Sequence, residues 1–255
     1  MNWGRNMTQM PLGWRAYGLG VMTLGVVCLA AADFVVAQPL PKDFPYRTAL
    51  AFATAAFLLV AGAAIEWRRT TAQAAVALVA FYGLAVVLSD GPALLANYTE
   101  YVTYSGIAEQ VAIMAAALIV YAGSAKMAAA RAARLTRCGQ LAFGIFALLF
   151  GGAHFAYLNF TASWVPKFLP PSQEFWAYAT GIGHIAAGIA ILTGVQARLA
   201  AILLTGMYAS FTPLVHVPML LAHPLSHANW TENAINLALT GAAWVVAESL
   251  ARNRR

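Results

Sequence analysis

Long apolar runs alternate with short polar or Pro/Gly-rich breaks along the chain. Eight of these runs approach or exceed the roughly 20 residues that cross a bilayer core of about 30 Å. They predict spans at 14–37, 47–67, 71–95, 105–125, 138–160, 173–195, 197–222 and 230–250. Runs of this length must satisfy their backbone hydrogen bonds internally, and a barrel would instead show short alternating segments, so the expected fold class is all-α.

Composition supports a lipid solvent. Apolar residues make up 61% of the 255 and charged residues only 9%, against about 25% charged in an average soluble domain. The basic residues are strongly sorted between the two sets of connections. With the N-terminus in the cytoplasm, Arg5, Arg15, Arg68, Arg69, Lys126, Arg131, Arg134, Arg137, Arg198, Arg252, Arg254 and Arg255 lie on that side, and Lys42, Arg47 and Lys167 on the other. This split predicts that both termini are cytoplasmic. It also explains the net charge of +6 without nucleic acid, because no basic patch is interleaved with aromatics. The densest basic run, KMAAARAARLTR at 126–137, is expected to be a linker resting on the anionic inner leaflet. Cys28 and Cys138 lie at different depths with no CxxC pair, so a thiol relay has no support.

The chain is internally repeated. An offset of 126 lays FATAAFLLVAGAAI (52–65) over YATGIGHIAAGIAI (178–191) with six identities in fourteen, and sets Tyr82 on Tyr208 and Asp90 on His216. Offsets of 121 and 123 pair Asp33-Phe34 with His154-Phe155 and Glu109 with Glu232. The expected organisation is a first four-helix unit at 1–125, the linker at 126–137 and a second unit at 138–255. The even helix number gives both units the same orientation, related by an axis along the membrane normal. The repeat also argues against reading Ala30-Ala31-Ala32 as a signal cleavage site.

Ionisable groups within a span cost about 2.5 to 3.5 kcal/mol each on insertion scales and normally face protein or a water-filled cavity. The sequence predicts one outward-facing constellation per half: Asp33, Asp90 and Glu109 in the first, His154, His216 and Glu232 in the second. All five histidines fall in the second half, with His184 inside its second span and His223 and His227 in a loop. Imidazole beside carboxylate suits proton transfer to a quinone or another small redox molecule. His154, His184, His216 and Glu232 are the candidate catalytic set. Trp176, Asn233 and Asn236 are candidate cofactor contacts, Trp176 belonging equally well to an interfacial aromatic belt with Trp164, Phe168 and Phe175. A metal held by His154, His216 and Glu232, or a haem between facing histidines, is the alternative cofactor reading. A purely structural role competes with all of these, each interhelical polar contact contributing about 0.6 kcal/mol. Walker, GxGxxG and serine-elbow motifs are absent from the sequence.

The stretch GGAHFAYLNFTASWVPKFLPPSQEFWAYATGIGHIAAGIAILTGVQARLAA (151–201) resembles the DoxX family of small bacterial membrane proteins. The shared features are a polar residue late in one helix, a VP..LP loop and an aromatic-led helix carrying TGI.H.AAG. The resemblance covers 138–250 directly and the first half only through the repeat. It implies a bacterial inner-membrane location and an association with redox processes. The functions expected are a quinone- or small-redox-molecule-linked membrane protein, a non-enzymatic partner of a redox enzyme, or a small-solute carrier. The lipid bilayer and a redox-enzyme subunit are the expected partners.

Overall fold

The computed structural model describes residues 10–35 and 40–252; the chain is an all-α membrane protein, and the described residues contain eight helices long and apolar enough to span a bilayer. Arg5, Arg254, Arg255 and the predicted end of the first span at 37 lie outside the described residues. The elements are α1 (Leu12–Ala31), α2 (Arg47–Ile65), α3 (Thr71–Ala85), a π-turn (Val86–Asp90) running into α4 (Gly91–Ala96), and α5 (Tyr101–Ser124). The second half repeats them as α6 (Ala129–Ala156) with the short α7 (Leu158–Trp164), α8 (Gln173–Thr193), α9 (Ala197–Phe211), a π-turn (Thr212–His216) running into α10 (Val217–Ala222), and α11 (His227–Arg252). Leu19, Val60, Leu84, Ile182 and Leu203 are among many large apolar side chains left exposed, as lipid-facing positions are.

Two boundaries differ from the sequence expectation. α6 begins at Ala129, so most of the basic stretch forms the first turns of the fifth spanning helix rather than a separate linker on the membrane surface. The alanine-rich AAARAARL has high helix propensity, and the helix simply continues out of the apolar zone. Its Arg137 is anchored, donating to the carbonyls of Ile191 (3.0 Å) and Leu192 (2.7 Å) near the end of α8, where helix carbonyls lack intrahelical donors. α1 ends at Ala31, with Ala32 in the left-handed conformation, so Asp33 lies just beyond the helix.

The repeat has a single register. The π-turns, α3 and α9, α4 and α10, and the starts of α5 and α11 are all 126 residues apart. Close-packing glycines follow the same offset. A side chain on Gly62 would meet the Gly18 carbonyl at 2.7 Å, and one on Gly188 would meet the Gly144 carbonyl at 2.8 Å. Each π-turn precedes a proline, Pro92 or Pro218, whose ring would collide with the carbonyl four residues back in a regular helix. Widening the turn removes the collision, and the N–H groups of Gly91 and Val217 bond five residues back, to Val86 and Thr212. The offsets of 121 and 123 are therefore corrected: His154 corresponds to Cys28, Glu109 to Ile235, and Gln110 to Asn236.

The two units do not close as separate bundles. The helices form a ring in the order α1, α2, α3, α5, α6, α8, α9, α11 and back to α1, with α5 and α11 also packed across its middle. The first helix of each unit thus lies along the last helix of the other. The α1–α11 seam is tight. A Cβ on Gly20 would fall 2.5 Å from the Ala238 Cα, and one on Gly241 would strike the Tyr17 backbone. At one end the Glu248 carboxylate accepts from the Gly13 N–H (3.1 Å), filling an unpaired donor at the start of α1. Overpacking costs about 1–3 kcal/mol where neighbours can yield and more against backbone. Gly241→Val is therefore expected to lower the melting temperature and the folded yield in detergent. Gly206→Val, where no atom lies within 4 Å of the added carbon, should leave both unchanged.

Candidate functional site

The interior of the second half holds a stack of rings at the end of the bundle away from Arg137 and Arg198. His154, in the last turn of α6, and His184, midway along α8, have ring centroids 4.9 Å apart, and Phe150 stands edge-on to both at 5.7 and 5.2 Å. Tyr208 of α9 continues the stack, 5.3 Å from His184. His184 and Tyr208 are 0% and 1% exposed.

Local hydrogen bonding fixes both imidazole tautomers. His154 Nδ1 lies 2.9 Å from the Phe150 carbonyl and His184 Nδ1 lies 2.7 Å from the Thr180 carbonyl. A carbonyl only accepts, so each Nδ1 carries the proton and each neutral ring keeps its lone pair on Nε2. His184 Nε2 has no hydrogen-bond partner, and neither has the Tyr208 hydroxyl. Such orphaned buried atoms cost about 1–3 kcal/mol each. One acceptor and one donor on adjacent rings together suit a ligand oxygen that carries a proton, a hydroquinone hydroxyl or a water.

The carboxylates come from both halves. Glu109 on α5 lies within Coulombic reach of Glu232 on α11 and of the Tyr208 hydroxyl. The first-half constellation expected from the sequence is thus not assembled. Asp33 pairs with Arg47, Asp90 with Gln110, and Glu109 belongs to the second site. The chain order conceals this because α5 packs across the ring against α11.

The other predicted residues have separate positions. His216, at the end of its π-turn, meets Trp164 edge-on at 6.2 Å and is not in ring contact with His154 or His184. Asn236 Nδ2 donates to the Tyr208 carbonyl (3.0 Å) and to Thr212 Oγ1 (2.9 Å). It thereby holds the junction of α9 with the π-turn, where Pro213 brings no N–H. Asn233 is one turn of α11 away, its Oδ1 buried without a partner. Trp176 is half-exposed, its indole donating to the Pro170 carbonyl (2.8 Å), and is part of the loop rather than of the ring stack. Among the described residues no three His, Cys, Asp or Glu side chains group to hold a metal ion, and His154, His216 and Glu232 are not brought together as ligands. The histidine rings at 4.9 Å also leave no room for a haem between them.

Tyr208 is the residue that the sequence reading missed as a site member, although its pairing with Tyr82 marked it. The same offset shows how the second half became polar: Cys28, Leu58 and Tyr82 occupy the places of His154, His184 and Tyr208. Beside this interior, between α8 and α9, an apolar groove of about 320 Å³ is lined by Gly183, Ala187, Leu203, Leu204 and Met207.

One similarity falls on this region. Residues 143–247 match a domain of unknown function, DUF8561. The match covers less than half of the chain and includes His154, His184, Tyr208, His216, Glu232 and Asn236. No curated protein and no solved structure matches the chain.

Because Leu58 is fully buried at the position equivalent to His184, His184→Leu is expected to fold and to keep or raise the melting temperature, by removing an unsatisfied buried nitrogen. A fall of several degrees would show instead that the imidazole holds the bundle together.

Proposed function

We propose that the second half binds the head group of a small redox-active molecule of the quinone class within the membrane and exchanges protons with it. The observation that carries this reading is the pair of unpartnered buried atoms, His184 Nε2 and the Tyr208 hydroxyl, on stacked rings. The hydroxyl donates to a quinone carbonyl, and the imidazole lone pair accepts from a hydroquinone hydroxyl. His154 and the Glu109/Glu232 pair extend the proton path toward the face that carries few basic residues. The groove between α8 and α9 gives an apolar tail a place in the bilayer beside the site. Electrons pass to or from a separate redox protein, which makes this chain a membrane partner of a redox enzyme. The DoxX resemblance supports the same association and a bacterial inner membrane, and the basic bias of Arg68, Arg69, Lys126–Arg137 and Arg198 supports cytoplasmic termini.

A partner without any ligand chemistry is the competing reading, favoured by the exposed loop-tip residues Phe168 (72%) and Leu225 (97%). Binding of a short-tailed ubiquinone to the protein in lipid nanodiscs, measured by tryptophan quenching and native mass spectrometry, separates the two. His184→Leu and Tyr208→Phe should each weaken binding about tenfold, the equivalent of ~1.4 kcal/mol, while Trp176→Phe has a smaller effect. Quinone binding that is absent, or identical in all three variants, removes the proposal and leaves the partner reading.

A further inference from the structure

Asp90 closes the π-turn of the first half and is 2% exposed; Gln110 on α5 is 4% exposed. The Gln110 amide donates to Asp90 Oδ1 at 3.0 Å. The remaining oxygens of the same two side chains, Asp90 Oδ2 and Gln110 Oε1, both lack a partner. Both are acceptors if Asp90 is ionised, and then nothing joins them. A single proton on Oδ2 turns that atom into a donor, and the amide oxygen of the side chain already bonded to Oδ1 is an unpaired acceptor. A carboxylic acid and an amide can pair in a ring of two hydrogen bonds, which would satisfy both orphaned atoms.

The surroundings supply no counter-charge. Three elements pack on this π-turn. α3 and α4 contain no charged side chain. The titratable Tyr82 of α3 neighbours Cys28, and Glu109 of α5, itself an acid, lies near Glu232 and Tyr208. Arg47, the cation that opens α2, is paired with Asp33. An ionised carboxylate here would be a buried unpaired charge, which costs several kcal/mol.

We propose that Asp90 and Gln110 form a proton-binding site in the first half, Asp90 being held as the neutral acid in a cyclic pair with the Gln110 amide. Its ligand is a proton, and it is independent of the quinone site of the second half. The corresponding place in the second half holds His216, so each π-turn ends on a titratable group. Loss of the proton leaves an unpaired charge in the apolar interior, so deprotonation and local opening of the π-turn are linked.

Infrared spectroscopy of the purified protein in nanodiscs tests this directly. The wild type at neutral pH should show a protonated-carboxyl carbonyl band that shifts in D2O, is unaffected by replacing sodium with choline, and is missing in Asp90→Asn. That variant can rebuild the ring as an amide pair, so its melting temperature should stay within ~4 °C of the wild type, the shift expected for about 1 kcal/mol. Absence of any band that Asp90→Asn removes, or a band replaced by carboxylate absorption when sodium is present, overturns the proposal. Should Asp90→Asn fail to fold, Gln110→Leu decides: the band must move to the frequency of a less hydrogen-bonded acid, and an unmoved band also overturns it.

Discussion

Close backbone approach at glycine holds this protein together. In lipid, burying apolar side chains between helices gains little, because the tails outside are equally apolar, so association depends on contact area and on polar links. The contacts of Gly18 with Gly62, Gly144 with Gly188, and Gly20 and Gly241 along the α1–α11 seam set how near the helices come. Everything else is arranged around that spacing. The ring of eight helices, with α5 and α11 across its middle, leaves one enclosed interior in each half, and the same glycine register places the same positions inside both.

Duplication followed by divergence accounts for the chemistry. At the places equivalent to the ring stack the first half has Cys28, Leu58 and Tyr82, and its buried polar pair, Asp90 with Gln110, lies instead at the π-turn. In the second, two imidazoles replace the thiol and the leucine, and the retained tyrosine packs its ring against His184. Both π-turns survived because Pro92 and Pro218 demand them, while the residues that close them diverged into an acid and a base. The polar content of the halves thus differs although their backbones agree.

The spans were legible because hydropathy reports which residues meet lipid. For the same reason it placed the start of the fifth span at 138: it marks the bilayer edge, not the helix end at Ala129. The offset of 126 was legible in 52–65 against 178–191. Pairing like with like among the polar residues then gave 121 and 123, because polar side chains are what divergence altered. Gly13, Gly18 and Gly25 against Gly139, Gly144 and Gly151 keep the register, since an added Cβ would crowd backbone atoms of the facing helix at five of them and the Leu192 side chain at Gly144. His154 and His184 could be singled out as costly intramembrane groups. That Glu109 serves the second half could not, because which helix closes which interior depends on how the units are joined in space.

That joining has an evolutionary consequence. A single four-helix unit of this kind would keep its first helix packed on its second but lack the wall that the other unit's last helix supplies, and two identical copies would complete each other. The present chain reads as such a homodimer fused end to end at 125–128. Fusion released it from symmetry. A homodimer must change both sites at once, whereas the fused protein could specialise one interior for histidines, borrow Glu109 from the other copy, and keep Asp90 with Gln110 in the twin.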